Sequence, residues 1–254
     1  MEINRDKNGF LWLLVHCGSR NFGKQICEFH QAKAIETYKQ KVAEGREKGL
    51  SEVPSHQKAK WLKAYKEKCA LPKELCYLEG NDLDLYVEHM KVAEVFACRN
   101  HEVIVDEICS HMGWRVEESI FTHHNYIEFT GKREMVIRKG AISAQKGERV
   151  IIPLNMRDGS LIGVGKGNPE WNCSAPHGAG RVLSRIQARK TLDVDEFRQK
   201  MQNVWSSCVG ADTLDESPMA YKDMQVIIDA IGETVEITDR IVPLYNFKAS
   251  EAID

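Results

Sequence analysis

The stretch Arg149–Val164, RVIIPLNMRDGSLIGV, is the part of the sequence that decides the fold. Two apolar runs, Arg149–Met156 and Ser160–Val164, flank a short polar segment that ends in Gly159, which is typical of two strands joined by a tight turn. Further β-rich segments are Phe10–His16, Ile120–Phe129 and Met135–Ile142. Glycines that mark turns in this region are Gly131, Gly140 and Gly147. The sequence therefore predicts an array of short strands with tight turns.

Helical patterns surround this array. Residues 22–112 are rich in lysine and helix formers, and the segment after residue 181 becomes helical again. The predicted helices are Phe22–Lys48, Lys58–Cys69, Asn81–Met112, Val182–Lys190, Val194–Val204 with Asp193 as its N-cap, and Met224–Ile231, followed by a closing strand at Ile241–Lys248. We expect a single α+β domain with a helical insertion at about 22–112 and a strand-rich core.

Composition excludes several classes of protein. The net charge is −2, so any binding of nucleic acid must depend on a local basic site and not on the overall field. No run approaches the roughly 18 apolar residues that span a bilayer, and we expect no membrane contact. The 8 cysteines are scattered without a Cys-x-x-Cys, which argues against a zinc ribbon or a disulfide scaffold and favours the cytoplasm.

The run SAPHGAGR, residues 174–181, carries the strongest chemical signal. The small residues after His177 let the backbone approach a ligand closely. A helix predicted to begin near Arg181 would offer free amides to a phosphate, and Arg185 would lie on the same helix face as Arg181. Neutral imidazole is a nucleophile, so His177 can attack a nucleotide α-phosphate. The alternative is a glycine-rich turn with a structural histidine.

Two further histidine motifs suggest a metal site. His16 ends an apolar strand and precedes a glycine turn and Arg20, whose planar fork suits phosphate. His123 and His124 are adjacent, so at most one of them points to a given site. If His124 faces His16, the pair forms a two-histidine centre that suits manganese or zinc, to which a carboxylate or thiolate should be added. The alternative is that these histidines pack in the core or lie in solvent.

Three weaker signals accompany them. Arg138 and Lys139 stand beside Gly140, which reads either as an anion contact or as a solvated basic pair at a turn. Tyr221, in an Ala-Tyr-Lys-Asp run, can stack on a base. Lys248 can bind a guanine carbonyl or a phosphate.

Taken in order, these motifs resemble the RtcB family of RNA-splicing ligases, and the resemblance runs from His16 to Lys248. It rests on the elements His-x-Gly-Ser-Arg, His-Asn, Arg-Lys-Gly-Ala, Ile-Ile-Pro-x-x-Met, His-Gly-Ala-Gly-Arg and Ala-Tyr-Lys-Asp. The resemblance implies an enzyme that uses GTP and manganese. It would join an RNA end with a 2′,3′-cyclic phosphate or 3′-phosphate to a 5′-hydroxyl end through a histidine-GMP intermediate, and no DNA substrate is expected.

The resemblance also implies roles for individual residues. His177 would carry GMP, and His16 and His124 match metal ligands of a site that holds two Mn²⁺ ions when complete. The residues that match the guanylate pocket are His124, Asn125, Pro153, Leu154, Asn155, Met156, Ser160, His177, Gly178, Ala179, Gly180, Tyr221 and Lys248. Those that match RNA or anion contacts are Arg20, Arg138, Lys139, Arg181 and Arg185.

The sequence departs from the family pattern in two places. Family members carry a metal-binding Asp and Cys and an Asn-His pair upstream of the His-x-Gly-Ser-Arg strand, and Met1 falls about where the residues just past that pair would lie. We therefore expect residues 1–254 to be an RtcB-like catalytic domain that lacks the N-terminal metal-ligand segment, for which a separate segment is a candidate partner. Leu154-Asn155 and Arg157-Asp158 replace a smaller loop, and Cys17 replaces a serine, which suggests a divergent nucleotide loop.

Two other functions compete with ligation. A non-catalytic module could keep the pocket and bind GMP or an RNA end without forming a covalent adduct. A metallohydrolase could use His16, His124 and His177 as three ligands of one metal ion.

Overall fold

The computed structural model describes residues 1–131 and 134–248. The chain divides into two compact units, which we call the sheet unit (Met1–His16 with His101–Asp254) and the helical unit (Cys17–Asn100). The described strands are β1 (Glu2–Arg5), β2 (Leu11–Leu14), β3 (Asn125–Phe129), β4 (Met135–Lys139), β5 (Ala141–Ser143), β6 (Arg149–Asn155), β7 (Gly159–Gly165), β8 (Ser174–Pro176), β9 (Trp205–Ser206) and β10 (Val235–Asn246). The described α-helices are α1 (Arg20–Glu52), α2 (Lys58–Lys68), α3 (Asn81–Met112), α4 (Arg185–Thr191), α5 (Val194–Lys200) and α6 (Met224–Ile231). This content confirms the α+β class.

The main sheet of the sheet unit has the strand order β2-β1-β10-β7-β6, and β9 adds a short parallel pairing to the end of β10. The predicted hairpin is present as β6 and β7, with Pro153 opposite Ser160. Its turn is held by Asn155, whose Oδ1 accepts the amides of Arg157 and Asp158. The predicted tight turn before residue 160 is therefore confirmed.

Both faces of this hairpin are buried, which explains why its strands read as continuous apolar runs. On one face Ile152 and Leu161 pack with Ile227 and Ile231 of α6. On the other face Ile151 and Ile162 pack with Ile241 of β10, and Trp12, Leu14 and Ile120 join this cluster.

Two small sheets lie beside the main one. β3 and β4 form a hairpin, and β5 pairs antiparallel with β8, with Ala141 opposite Pro176. The prediction of a single strand over Met135–Ile142 is wrong, because Gly140 adopts φ +73° and divides it into β4 and β5. Only glycine adopts this left-handed conformation without strain, so the glycine ends the strand.

The elements after residue 177 correct several other boundaries. α4 begins at Arg185 and not near Arg181, because Ser184 forms a capping box with Gln187. Arg181 lies in an extended segment and pairs with Tyr221, so the expectation that Arg181 and Arg185 share a helix face is wrong. The predicted Asp193 cap of α5 is confirmed, since its side chain accepts two backbone amides. That helix ends at Lys200, and β10 begins six residues earlier than the predicted closing strand and ends at Asn246.

The helical unit consists of α1, α2 and the part of α3 up to Asn100. Together with the rest of α3, it confirms the predicted helical character of residues 22–112. Gly45 and Gly49 of α1 leave room for Tyr65 and Trp61 of α2, whose rings stack, since a Cβ at Gly45 would overlap the hydroxyl of Tyr65 and one at Gly49 the ring of Trp61. Within the described residues, no helix is long and apolar enough to cross a membrane.

Candidate functional site

His177 follows directly on β8, and its ring is fixed by a main-chain contact. Its Nδ1 lies 2.7 Å from the carbonyl oxygen of Gly140, the residue that precedes the paired strand β5. A carbonyl oxygen can only accept, so Nδ1 must carry the proton and donate it. In the neutral ring Nε2 then keeps its lone pair, which is the form needed by a nucleophile or a metal ligand.

His124 stacks on His177, and both histidines are hydrogen-bonded to Gly140. The two rings stack with centroids 4.8 Å apart and planes inclined by 27°. The carbonyl oxygen of His124 accepts the amide of Gly140 at 3.0 Å. Gly140 therefore binds both histidines through its main chain, one through its N–H and the other through its C=O.

His16 completes a row of three histidines. Its Nε2 lies 3.3 Å from Nε2 of His124, and the two rings meet edge to face. Loss of hydration, followed by the nearby His124 and Lys248, lowers the pKa of His16 to about 4. Loss of hydration also lowers the pKa of His124, with His177 as the next cause. Both rings are thus neutral near pH 7 and able to bind a metal ion.

The spacing of this pair fits a shared ion. Two nitrogens bound about 2.0–2.1 Å from one tetrahedral metal lie about 3.3 Å apart. In residues 1–131 and 134–248, no group of three or more His, Cys, Asp or Glu side chains is arranged to hold a metal ion. His177 does not complete such a group with His16 and His124, and its ring instead stacks on that of His124.

His123 points away from this row, as expected for the neighbour of His124. Its ring packs edge to face on Phe121 at 4.5 Å and against Tyr126 at 5.6 Å. Burial lowers the pKa of His123. It is an aromatic packing residue in this structure.

The segment after His177 crosses the end of β6. The amide of Ala179 donates to the carbonyl of Pro153 at 2.9 Å, and a Cβ at Gly178 would lie 3.0 Å from the same oxygen. The structure therefore brings the predicted pocket residues from both motifs together. Leu154 and Met156 are 2% and 1% exposed and belong to two core clusters, so their side chains pack in the core and not against a ligand.

Asn155 and Asn125 hold backbone positions in the same region. The side chain of Asn155 maintains the β6–β7 turn, where its Nδ2 also donates to Asp158. Asn125 is the first residue of β3 and pairs with Lys139 at the end of β4, next to Gly140. Lys139 is exposed there, in keeping with its predicted contact with an anion.

A polar group with unused hydrogen-bonding capacity lies near Lys248. Glu2 is 5% exposed; its Oε1 is 3.4 Å from Nζ of Lys248, and its Oε2 has no hydrogen-bond partner among the described residues. The fully buried Ser160 likewise has a hydroxyl with no hydrogen-bond partner in residues 1–131 and 134–248. A cavity of about 450 Å³ opens beside Lys248 and is also lined by Cys208, Asp212 and Phe247. Sequence reasoning missed Glu2, because it predicted no strand before Phe10 and the contact with Lys248 joins the two ends of the described chain.

Tyr221 and Arg181 form a second polar cluster. The hydroxyl of Tyr221 donates to Glu216 at 2.9 Å and accepts from Arg181 at 3.0 Å. Burial, with Glu216 next, raises the pKa of Tyr221. Arg181 also donates to the carbonyls of Leu183 and Asp215, so its guanidinium is already engaged with protein.

Asp215 anchors the arginines of α4. Its carboxylate accepts from Arg189 at 3.0 Å and lies 3.8 Å from Arg185. At 3% exposed, Asp215 is a buried anion compensated by two cations. The sequence patterns pointed to Arg185 but not to the acidic residues that hold it.

The remaining predicted cations lie elsewhere. Arg138 is 1% exposed and bonded to Glu128 and to the carbonyl of Asn172, which is a poor match for a contact with RNA. Arg20 is the first residue of α1 in the helical unit, with φ +52°.

Comparison with known proteins places this arrangement in a family. The family model described as tRNA-splicing ligase RtcB matches residues 2–249. The chain belongs to the RtcB family. It is 31% identical to the RNA-splicing ligase RtcB of Escherichia coli K12 over 93% of its own length and 56% of that protein. It is 28% identical to the tRNA-splicing ligase RtcB of Nanoarchaeum equitans over 87% of its length and 48% of the archaeal protein.

The resemblance found in the motifs is thereby confirmed. The chain spans about half the length of these curated RtcB relatives. The family match includes both Glu2 and Lys248, whose side chains meet in the structure.

Proposed function

We propose that this protein acts in RNA ligation, with His177 as the residue that takes up GMP from GTP. The observation that carries the proposal is the hydrogen bond from Nδ1 of His177 to the carbonyl of Gly140, which leaves Nε2 unprotonated in the neutral ring. A nucleophile held in one tautomer needs no proton rearrangement before it attacks. The relatives are named RNA-splicing ligases, which supports a role in RNA ligation.

The proposed reaction has three transfers. Nε2 of His177 attacks the α-phosphorus of GTP; a P–N bond forms, and the P–O bond to pyrophosphate breaks. An oxygen of the RNA 3′-phosphate then displaces His177, which regains its Nε2 lone pair as GMP passes to the RNA. Finally the 5′-hydroxyl of the second RNA end attacks that 3′-phosphate, loses its proton to solvent and releases GMP. An end with a 2′,3′-cyclic phosphate would first be opened by water.

Glu2 and Lys248 support guanine as the base. A carboxylate can accept hydrogen bonds from the N–H groups on one edge of guanine, and an ammonium can donate to its carbonyl oxygen. Glu2 offers an oxygen with no partner among the described residues, and Lys248 both contacts Glu2 and lines the cavity of about 450 Å³. Burial strengthens such charged hydrogen bonds, since water does not compete for them.

Manganese fits the histidine row. His16 and His124 would hold the ion, because both are neutral near pH 7 and their Nε2 atoms have the separation of two ligands on one metal. Bound there, Mn²⁺ would stabilise the negative charge that develops on phosphate oxygens. Lys139 and Arg185, both exposed, would contact the RNA phosphates. A cytoplasmic location stays a prediction.

The test is covalent labelling with GTP that carries a radioactive α-phosphate, in the presence of Mn²⁺. We expect an acid-labile label on His177, no label in His177→Gln, and full label in His111→Gln, since His111 is an exposed histidine on α3. A wild-type chain that stays unlabelled both alone and with the remaining part of a full-length relative supplied would contradict the proposal. If calorimetry then showed that GMP still binds, the non-catalytic nucleotide-binding function would be favoured.

A further inference from the structure

Arg138 carries an unusual combination of burial and bonding for a residue in a basic motif. Its guanidinium is paired with Glu128, donates from Nη2 to the carbonyl of Asn172 at 3.1 Å, and faces the ring of Tyr126 at 5.8 Å. Its Nε is buried without a partner among the described residues. An arginine that leaves a buried donor unsatisfied is not optimised for stability alone, which is consistent with a role in positioning neighbouring residues.

The residue that Arg138 holds is strained. Asn172 and Cys173 adopt φ +50° and +47°, a conformation that non-glycine residues rarely take. The Asn172 carbonyl accepts from both Arg138 and the hydroxyl of Ser174, the latter at 3.0 Å. These contacts add to the backbone hydrogen bonds of the turn, in which the amides of Asn172 and Cys173 donate to the carbonyls of Pro169 and Asn168, and together they stabilise its left-handed conformation.

This turn sets the start of the strand that carries His177. β8 begins at Ser174, directly after Cys173, and His177 follows its last residue. The partner strand β5 begins one residue after Gly140, and Gly140 is two residues from Arg138. Arg138 thus donates to the turn that leads into β8, and it lies two residues before Gly140, which leads into β5. Its contact therefore joins the two chain segments that carry His177 and Gly140, the partners of the hydrogen bond.

We infer that Arg138 is a positioning residue for His177: it ties the end of β4 to the Asn172 turn and so holds Nδ1 of His177 on the Gly140 carbonyl. Its side chain acts through the backbone and not by touching a substrate. That the oriented histidine reacts with a nucleotide rests on the proposed function, but the orientation itself does not.

Histidine NMR tests the inference without any assay of activity. In protein labelled with ¹⁵N at its histidines, we expect His177 to show one protonated Nδ1 and an unprotonated Nε2. In Arg138→Met we expect a mixture of tautomers and an Nδ1 proton that exchanges with water at least about fivefold faster, the effect of losing one hydrogen bond. Arg240→Met is the control, because Arg240 donates to the carbonyl of Asp158 and to no atom of Gly140, Asn172 or His177 in the described structure.

Arg138→Lys separates position from charge. Lysine keeps a cation beside Glu128 but lacks the fork that reaches Glu128 and Asn172 together, so we expect the same change at His177 as in Arg138→Met. If Arg138→Met fails to fold, Arg138→Lys still tests the inference, since the partly buried carboxylate of Glu128 keeps a cationic partner. A wild-type His177 signal in the folded Lys variant would overturn the inference, as would an equal change in Arg240→Met.

The outcome is independent of the proposed reaction. If His177 is never labelled by GTP, the proposed function fails, while the tautomer shift in the Arg138 variants still supports the positioning role. If labelling occurs, we expect its rate in Arg138→Lys to fall by about 10- to 100-fold, as for a reacting group displaced by about 1 Å, with the GTP concentration for half-maximal labelling little changed.

Discussion

Replacing Gly159 with alanine should disrupt the pairing of β7 with β10. Gly159 has φ +76°, and a Cβ built there would overlap the carbonyl oxygen of Ile241 and lie 2.9 Å from Cδ of Pro243. The left-handed backbone alone costs an alanine roughly 1–2 kcal/mol. Relief of the overlap requires the strands to separate where Ser160 faces Ile241.

The steric overlap in Gly159→Ala lowers the free energy of unfolding further, beyond the loss from backbone strain. Weakening one or two ladder hydrogen bonds costs about 0.5–1.5 kcal/mol each, which gives a total destabilisation of about 2–5 kcal/mol. Gly147 provides a matched control, because it has φ +83° and a Cβ there would meet nothing within 4 Å. Gly147→Ala should therefore lose only the roughly 1–2 kcal/mol of backbone strain.

The free energy of unfolding is measured by urea denaturation followed by circular dichroism. Because the chain has two compact units, hydrogen exchange of the β7 and β10 peptides gives a readout confined to the sheet. We expect faster exchange there in Gly159→Ala than in Gly147→Ala. Equal destabilisation by the two substitutions would refute the argument from steric overlap.

Three further outcomes are expected for a core residue, a pocket residue and a histidine of the helical unit. Phe197→Ala removes a fully buried ring from its core cluster and should lower the free energy of unfolding by about 3–5 kcal/mol in urea denaturation; a loss below about 1 kcal/mol would show that the site collapses without a cavity. Glu2→Gln should weaken GMP binding by about 10- to 100-fold in calorimetry, as for loss of a charged hydrogen bond, and unchanged affinity would remove Glu2 from the pocket. Burial and the neighbouring His89 lower the pKa of His30, so the unfolded state binds more protons below about pH 6.5 and stability should fall as pH drops through that range. His30→Gln should flatten this dependence of the urea midpoint, and an unchanged slope would contradict it.

The sequence predicted the long helices and the central hairpin well, because hydrophobic periodicity and capping residues depend only on neighbouring residues. The bounds of α3 and α6 agree with the predicted helices, and the β6–β7 hairpin follows from its apolar runs and its turn. The start of α4 was misjudged because the small residues after His177 suggested a helix, whereas the stronger signal was Ser184 three residues before Gln187.

The site could be predicted only in part, for a different reason. The sequence indicated which histidines matter, but not that Gly140 would bond two of them or that Glu2 would meet Lys248 across 246 positions. Such contacts depend on sheet register, which no local pattern contains. The burial of Arg138 was missed because a basic residue beside a glycine usually lies in solvent.

The acceptor that fixes the proton on His177 is a main-chain oxygen, and this has a consequence for how the protein can vary. No single side-chain replacement can delete that oxygen, so mutation can alter the tautomer only by bending the chain that bears it. The tautomer of His177 therefore depends on the path of the backbone at Gly140, and side chains such as Arg138 influence it only through that path. A designer who wished to transplant this reactive group would need to copy a left-handed glycine and two short strands before copying any neighbouring side chain.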